Sequence, residues 1–296
     1  MWYLKGITKD MTMDYQKENI LAICYDFDWT LSPFEMQAQG YIQQINENVD
    51  DFWNLATKLA IDNQMDPNLS YMYLMLYGAK GKFQVKKEKL KEFGSKVRLF
   101  KGVETWFERI NDFGRKHNVT IEHYIISSGL KEMIEGTKIA KEFKAIYANS
   151  FLYDKNGVAV WPAQNINFTN KTQFLFRISK GTLNVNDNDV NRYYPKESIR
   201  IPFENIVYIG DSQTDIPCMK LATSLNGHAI GVYDPVIQNK ERVHELIRDH
   251  RIKYFAKADY SEGSELETLL FKIINYTQSS FELKSEFHKN LAESLQ

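Results

Sequence analysis

The chain has 296 residues, which at roughly 100–200 residues per domain fits one large domain or a core with a smaller appendage. Its 37 basic and 38 acidic side chains leave a net charge of −1, which argues against a protein that coats nucleic acid. Hydrophobic residues make up 43% of the chain and charged residues 25%, so the composition is that of a globular protein, neither disordered nor fibrous.

The cysteines and the hydropathy pattern indicate where the protein acts. Cys24 and Cys218 are the only cysteines, so a disulfide scaffold is excluded and a reducing compartment is expected. No stretch approaches the roughly 18 apolar residues that span a bilayer. Residues 1–19 mix charged and apolar side chains too finely for a signal peptide. We therefore expect a soluble, cytoplasmic protein that does not interact with membranes.

The first predicted element is a strand at Ile20–Tyr25, a continuous apolar run that ends abruptly at Asp26. A short apolar run of this kind is typical of a strand buried on both faces, as in a parallel sheet. Similar runs lie at residues 121–126, 206–209 and 229–232, and helix-like segments lie at residues 103–117, 215–222 and 236–248. This alternation predicts an α/β fold with a doubly wound, Rossmann-like parallel sheet.

The segment from residue 32 to residue 100 interrupts this alternation. Its 69 residues hold ten aromatic residues and four methionines at helix-like spacings, and no convincing buried strand. We therefore predict a mainly helical cap domain at residues 32–100, inserted after the first strand of an α/β core made of residues 1–31 and 101–296.

Two later segments also depart from the alternation. Residues 145–168 hold the run Asp-Lys-Asn-Gly between two apolar triplets, which predicts a β-hairpin around an Asn-Gly turn. The polar stretch at residues 181–202 predicts a long surface loop.

Polar side chains follow the predicted strands. Asp26 and Asp28 follow the first strand, Ser127 the second and Asp211 the third, with Asp215 one helical turn further on. In an open parallel sheet, ligands bind beyond the carboxyl ends of the strands, so these side chains are expected to share one crevice. Four carboxylates at close range disfavour each other's ionisation. A bound cation relieves that repulsion, and an all-oxygen site favours Mg²⁺.

These residues form motifs that resemble those of the haloacid dehalogenase (HAD) superfamily of phosphatases and phosphotransferases. The run Asp-Phe-Asp-Trp-Thr at residues 26–30 matches the DxDxT signature, and Gly-Asp-Ser-Gln-Thr-Asp at residues 210–215 is similar to the GDxxxD motif. Ser127 and Lys171 resemble the second and third motifs, and the four occur in the expected order. The layout resembles that of phosphoserine-phosphatase-like members, which carry a helical cap after the first motif.

The resemblance implies a chemical role for each acidic residue. Asp26 is the expected nucleophile, which attacks phosphorus to give an aspartyl-phosphate. Asp28 is the expected general acid and base, and its backbone carbonyl is an expected metal ligand. Asp26 and Asp211 would bind Mg²⁺ directly, and Asp215 would do so directly or through water.

The phosphate-binding residues leave alternatives open. The resemblance implies Ser127, with Ser128 and Gly129 beside it, although Ser128 is a rival for the main role. Lys171 is favoured over Lys180 because the Thr-Asn pair directly before it is expected to cap a helix, and helix N-termini bind anions. Serine and lysine would hold the phosphoryl oxygens and neutralise their charge.

The cap is expected to select the substrate by closing over the site. Glu35 lies nine residues after Asp26, where phosphoserine-phosphatase-like enzymes place a glutamate that faces the substrate's amino group; a glutamate in the first turn of a helix explains it equally well. Trp29 replaces the small residue common in the family and is expected to narrow the entrance or stack on a ring. Arg98 is the only arginine of the predicted cap, and that scarcity argues against phosphoserine itself.

The sequence therefore predicts a Mg²⁺-dependent phosphatase that hydrolyses a small phosphorylated metabolite. A phosphotransferase or mutase needs the same residues and stays open as an alternative. A non-catalytic binding protein on a HAD scaffold is a third hypothesis, because residues 80–101 hold nine basic and two acidic side chains that could contact nucleic-acid phosphates. Intact Asp26 and Asp28 make that hypothesis the weakest, so nucleic acid is not the expected partner.

Overall fold

A computed structural model describes residues 18–236 and 240–295 of the chain. The prediction about a signal peptide concerns residues 1–19 and so lies almost wholly outside the described residues. Across the two described ranges, no helix combines the length and the apolar character needed to cross a bilayer.

Seven strands form one sheet at the centre of the structure. They are β1 Ile20–Tyr25, β2 Thr120–Leu130, β3 Ala145–Tyr153, β4 Ala159–Gln164, β5 Ile206–Gly210, β6 His228–Tyr233 and β7 Tyr254–Lys257. Their order is β4-β3-β2-β1-β5-β6-β7, and all neighbours are parallel except β3 and β4. The prediction of a doubly wound, mostly parallel sheet is confirmed.

Ten α-helices belong to the described residues. They are α1 Tyr41–Gln44, α2 Val49–Asn63, α3 Pro67–Ala79, α4 Lys87–Gly94, α5 Val103–Lys116, α6 Lys131–Gly136, α7 Thr172–Lys180, α8 Ile216–Ser224, α9 Glu241–Arg248 and α10 Glu265–Ser294. The first four lie in the segment between β1 and α5, which is therefore mainly helical as predicted. The helix expected from residue 236 begins at Glu241, and residues 237–239 lie outside the described ranges.

The continuous apolar run of β1 reflects its place in the middle of the sheet. Every residue of the strand is buried, and alternate side chains enter the two cores on opposite faces. Ile23 and Tyr25 pack into the core that includes α5, whereas Ala22 and Cys24 pack into the core that includes α7 and α8. Because both faces are apolar, the period-2 pattern of an exposed strand is absent from this run.

The structure corrects several element predictions. β2 extends to Leu130, past the polar Ser-Ser-Gly at which the sequence pattern ends, and its register with β3 shifts after Ile126. β3 pairs in parallel with β2 before it enters the hairpin with β4, so residues 145–168 extend the central sheet rather than interrupt it. In the hairpin turn, Gly157 has a positive φ of 74°. β7 and the 30-residue α10 were not predicted from the sequence.

Two glycines let α4, near the end of the predicted cap, lie directly on the core helix α6. A Cβ at Gly94 would overlap the backbone carbonyl of Met133, and a Cβ at Gly136 would overlap that of Lys91. The backbone just before α4 also joins the hairpin, since Val85 O accepts from the N–H of Ala159 at 2.8 Å. The end of the predicted cap is thus attached to the core at two points, and the boundary at residue 100 stays a prediction.

We expect Gly94→Ala to destabilise the fold by about 3 kcal/mol, because the new methyl group meets rigid backbone on α6. The matched control is Gly78→Ala in α3, where the added Cβ would meet only the flexible end of Ile45, 2.9 Å away, and helix propensity favours alanine by about 1 kcal/mol. Urea unfolding curves of both variants measure the difference. Equal stability of the two variants would contradict the close helix crossing.

His228 is a buried ring at the start of β6 without hydrogen-bond partners. Both ring nitrogens lack a partner among the described residues, and the ring packs near Tyr254 and Tyr276. Burial, and secondarily the charge of Lys253, lowers the pKa of His228 from 6.5 to about 4. The folded protein therefore keeps this ring neutral at a pH where the unfolded chain protonates it.

This shift predicts that the free energy of unfolding decreases as the pH is lowered from about 6.5 to 4, since the unfolded state binds the extra proton in that window. At pH 5 the loss due to His228 is about 2 kcal/mol. We expect His228→Phe to remove that part of the pH dependence, so the difference in unfolding free energy between variant and wild type changes by this amount between pH 7.5 and pH 5. A difference that is the same at both pH values refutes the assignment.

Candidate active site

Asp26 lies where β1 leaves the sheet. Its backbone N–H donates to the carbonyl oxygen of Ile209, 2.9 Å away, which holds the end of β1 against β5. The chain then turns sharply: the N–H of Ser32 donates to the carbonyl oxygen of Phe27 at 3.0 Å, and Trp29 takes a left-handed φ of 61°. The turn leaves Asp26 only 6% exposed, with Oδ1 accepting from the N–H of Phe27 at 2.7 Å.

The second acidic pair follows β5. Asp211 is the first residue after the strand, and Asp215 ends the single 3₁₀ turn that comes next. The carboxylate of Asp215 accepts hydrogen bonds from the hydroxyl of Tyr208 at 2.7 Å and from the N–H of Ser212 at 3.1 Å. A Cβ at Gly210 would lie 2.6 Å from Asp215 Oδ2, so the glycine of this motif makes room for the carboxylate.

Lys171 places a buried ammonium group between two of these carboxylates. Its Nζ lies 3.0 Å from Asp26 Oδ2 and 2.8 Å from Asp215 Oδ1, and the residue is fully buried. Lys180, the alternative, lies at the far end of α7 and donates to two carbonyl oxygens of the following loop at 2.7 and 2.8 Å. The structure therefore brings Lys171, and not Lys180, to the acidic residues.

The turn that leads into α7 is capped by a different residue from the pair predicted. Asn167 accepts hydrogen bonds on its side-chain oxygen from the N–H groups of Thr169 and Asn170, at 3.0 and 3.1 Å. The side-chain amide of Asn167 also donates to Asp66 of the helical segment at 2.7 Å. The expected Thr-Asn cap was wrong because the capping asparagine lies one turn earlier, where it also joins the core to the segment before α3.

Burial and crowding shift the ionisation of this cluster. Burial first, and then the negative charge of Asp215, raise the pKa of Asp26 to about 6 although Lys171 opposes the shift. The same two causes raise the pKa of Asp211 well above its usual range. Burial also raises the pKa of Asp215, but Lys171 and the hydrogen bonds outweigh it and the net shift is downward. The cluster therefore holds more acidic groups than its lysine neutralises.

A hard divalent cation fits this donor set. Asp26, Asp211 and Asp215 each offer a carboxylate oxygen, and these oxygens lie within 4.8 Å of one another. All three donors are oxygen atoms, which suits Mg²⁺, and a bound cation would offset the mutual repulsion that helps to raise the pKa of Asp26 and Asp211. The carboxylate of Asp28 is not part of this group, and a role of its backbone carbonyl as a metal ligand stays a prediction.

Asp28 points its carboxylate toward the helical segment. Its Oδ1 accepts from the N–H of Met36 at 2.9 Å, and the residue is partly buried. Burial, and then the charges of Asp26 and Glu35, raise the pKa of Asp28 well above its usual range. The direction of this shift favours the protonated carboxyl group, which is the state required of a general acid.

The two serines near the end of β2 make different hydrogen bonds. Ser127 is fully buried, and its hydroxyl oxygen accepts from the N–H of Gly129 at 3.0 Å. The hydroxyl of Ser128 instead donates to the carbonyl oxygen of Ile166 at 2.9 Å. Gly129 lies against Asp28, since a Cβ there would come within 3.1 Å of Asp28 Oδ2. A role of these three residues in phosphate binding stays a prediction.

The expected substrate residues lie on the loop that leads into the helical segment. The ring of Trp29 meets the ring of Phe34 edge-on with centroids 5.8 Å apart, and both residues are partly buried. Glu35 is also partly buried and close enough to Asp28 to raise its pKa. Arg98 is exposed, with its guanidinium over the ring of Phe34 at 5.5 Å.

Three further residues near the site were not predicted from the sequence. Tyr71 of α3 donates its hydroxyl to the carbonyl oxygen of Ser128 at 2.9 Å, and Asn149 of β3 donates to the Tyr71 hydroxyl at 2.8 Å. Gln37, one residue after Met36, is buried at 2% exposure. Tyr71 and Asn149 come from segments that read as a helix and a strand, so only the folded chain shows that they meet.

Comparisons with known proteins identify the fold. No protein-family model matches the chain. An uncharacterised protein of Borreliella burgdorferi is 28% identical over 279 residues, which cover 85% of this chain and 95% of that protein.

Three solved structures are similar across most of the chain. A HAD family hydrolase of Salmonella enterica serovar Typhi has a TM-score of 0.56 at 19% identity and covers 92% of this chain and 78% of its own. A probable phosphoserine phosphatase of Vibrio cholerae has a TM-score of 0.55 at 9% identity, with coverage of 95% and 74%. A phosphoserine phosphatase solved as a phospho-aspartyl intermediate analogue has a TM-score of 0.51 at 16% identity, with coverage of 84% and 97%. The chain has a HAD fold of the phosphoserine-phosphatase-like type, which confirms the resemblance at the level of the fold.

The acidic cluster predicts that Mg²⁺ stabilises the protein. At 100 times the dissociation constant the cation adds about 2.7 kcal/mol, which raises the Tm by about 5 °C. We expect Asp211→Asn to remove most of that rise because it deletes a carboxylate of the cluster. Asp62→Asn, the same substitution on an exposed residue of α2, is the control and is expected to keep it. An equal rise in both variants, measured by thermal unfolding, would place the cation elsewhere.

Proposed function

We propose that the protein is a Mg²⁺-dependent phosphatase that hydrolyses a small phosphomonoester through an aspartyl-phosphate. The observation that carries the proposal is the contact of Lys171 with Asp26, which holds a buried carboxylate next to a positive charge at the carboxyl end of the central strand. The HAD fold supports the same reaction, because two of the similar solved proteins are a phosphoserine phosphatase and a probable phosphoserine phosphatase.

In the first step a carboxylate oxygen of Asp26 attacks phosphorus, and the bond from phosphorus to the ester oxygen breaks. Asp28 gives its proton to that oxygen, which leaves as an alcohol. The raised pKa of Asp28 suits this donation, since it favours the protonated carboxyl group. The product on the enzyme is a mixed anhydride of Asp26 and phosphate.

In the second step water attacks the phosphorus of the anhydride. Asp28, now a carboxylate, takes a proton from that water, and Asp26 is released with inorganic phosphate as the product. The roles of Asp28 thus reverse between the two steps, and the enzyme returns to its starting state.

Positive charge has to offset the phosphoryl group in both steps. Lys171 supplies part of it at Asp26. Asp26, Asp211 and Asp215, with the carbonyl of Asp28, would hold Mg²⁺, which would neutralise phosphoryl oxygens. Ser127, with Ser128 and Gly129 beside it, binds the phosphoryl oxygens at the end of β2.

The substrate is a small phosphorylated metabolite that binds between the core and a helical cap at residues 32–100. Glu35 and Trp29 contact its leaving group, since both lie on the loop that follows Asp28. The protein acts in the cytoplasm, a reducing compartment, which the free thiols of Cys24 and Cys218 support.

The ion pairs of the lysine-rich segment argue against a nucleic-acid partner. Lys87 and Lys91 of α4 surround Glu135 of α6 at 3.9 and 3.0 Å. Lys89 and Lys96 contact Glu92 at 2.8 and 3.0 Å. These four lysines share two carboxylates, so part of the basic charge is balanced within the protein, which leaves less to attract phosphates from outside.

We expect Mg²⁺-dependent release of phosphate from a generic aryl phosphate, and a loss of at least about 1,000-fold in Asp26→Asn, because an amide is a poor nucleophile. Asp62→Asn is the matched control and is expected to hydrolyse the substrate like the wild type. A phosphate-release assay with and without EDTA measures both effects.

The acceptor separates a phosphatase from a phosphotransferase. With water as the only acceptor, a phosphatase releases inorganic phosphate on every turnover, whereas a phosphotransferase stalls after one. Undiminished hydrolysis by Asp26→Asn, or none by the wild type on any of a broad panel of phosphomonoesters, would refute the proposed function.

A further inference from the structure

Gln37 is a buried side chain with an acceptor that the protein does not satisfy. The residue lies in the 3₁₀ turn Met36–Ala38 and is 2% exposed. Its Oε1 has no hydrogen-bond partner among the residues that the structure describes. A buried acceptor without a donor is costly, so the position calls for a donor from outside the chain.

Gln37 lies beside the expected general acid. The 3₁₀ turn is tied to Asp28 by the hydrogen bond from the N–H of Met36 to Asp28 Oδ1, at 2.9 Å. The hydroxyl of Tyr71 interacts both with the side chain of Gln37 and with the carboxyl group of Asp28. The side chains of Gln37 and Asp28 therefore both lie close to the Tyr71 hydroxyl, between the core and the helical segment.

The hydrogen-bond donors of Tyr71 and Asn149 are already engaged with other acceptors. The single proton of the Tyr71 hydroxyl goes to the carbonyl oxygen of Ser128. The amide of Asn149 donates to that same carbonyl oxygen at 2.7 Å and to the Tyr71 oxygen at 2.8 Å. None of these donors can turn to Gln37 without giving up a buried hydrogen bond.

Acidic side chains lie near Asp28 and Tyr71. Glu35 interacts with Asp28, and Glu132, which is 2% exposed, interacts with Tyr71. The basic side chain in this part of the cap segment, Arg98, is exposed and stacks on the ring of Phe34. A leaving group that carries N–H or O–H donors fits these surroundings, whereas a carboxylate would face like charge.

We propose that Gln37 Oε1 accepts a hydrogen bond from a hydroxyl or amino group of the leaving group, so that the substrates are phosphorylated polyols and amino alcohols without a carboxylate. This proposal rests on the phosphatase function proposed above and names its substrate class. Gln37 acts in specificity, and Asp28 beside it protonates the oxygen of the same leaving group.

Four two-carbon phosphates of matched size test the proposal. They are 2-hydroxyethyl phosphate, ethanolamine phosphate, ethyl phosphate and phosphoglycolate. The first two carry a donor, the third carries none and the fourth carries a carboxylate. We expect kcat/KM for both donor-bearing esters to exceed that for ethyl phosphate by about 10-fold or more, and phosphoglycolate to be the poorest substrate.

Substitution of Gln37 assigns the preference to this residue. We expect Gln37→Leu to reduce the ratio of kcat/KM between 2-hydroxyethyl phosphate and ethyl phosphate to about 1, since the acceptor is gone. Gln44→Leu is the same substitution on an exposed residue seven positions further along, and it is expected to keep the wild-type ratio. If Gln37→Leu does not fold, Gln37→Met replaces it.

The outcomes separate this proposal from the one on which it rests. Equal or better hydrolysis of ethyl phosphate or phosphoglycolate by the wild type overturns the substrate class and leaves the phosphatase function standing. An unchanged ratio in the Gln37 variants overturns the role of Gln37. If neither these four esters, nor the aryl phosphate, nor any other member of the broad panel is hydrolysed, the phosphatase function is refuted and the substrate class falls with it.

Discussion

The salt bridges of Lys171 with Asp26 and Asp215 are the interaction on which the site depends. A fully buried ammonium group is stable only because two carboxylates surround it, and those carboxylates in turn need its charge. The three residues come from the turns after β1 and β5 and from the start of α7, so one charged contact joins three parts of the fold. Loss of Lys171 would leave two buried carboxylates without their cation, whereas loss of one carboxylate would leave Lys171 paired with the other.

The parallel sheet makes this contact possible. β1 lies between β2 and β5, and each of these strands runs in the same direction, so their carboxyl ends meet at one edge. β1 and β5 are apolar throughout, and each is followed by a carboxylate where the strand ends. The hydroxyl of Thr30 donates to Asp211 at 3.2 Å and thereby ties the turn after β1 to the end of β5. The parallel pairing of β1 with β2 and β5 thus both stabilises the sheet and sets the geometry of the site.

The central strand and the acidic residues of the site could be predicted because a local sequence pattern marks them. The uninterrupted apolar run of β1 indicates a central strand, and the polar residues directly after it in the sequence mark the site. The longer extent of β2 could not be predicted, because its last residues are polar and buried by neighbours distant in sequence. The residue that caps the turn before α7 could not be identified from the sequence, since Asn167, Thr169 and Asn170 are all of types that cap helices. The contact between Tyr71 and Ser128 spans 57 residues and has no local signal.

That long-range contact couples closure of the site to its selectivity. Asp26 is almost wholly buried. If the helical segment moves away from the end of β2 to admit a substrate, the hydrogen bond from Tyr71 of α3 to Ser128 breaks, and closure restores it. A leaving group that supplies a donor to Gln37 stabilises the closed state, because it satisfies a buried acceptor that the protein alone leaves unpaired. Binding energy at the leaving group can therefore favour the water-excluded state in which Asp26 reacts.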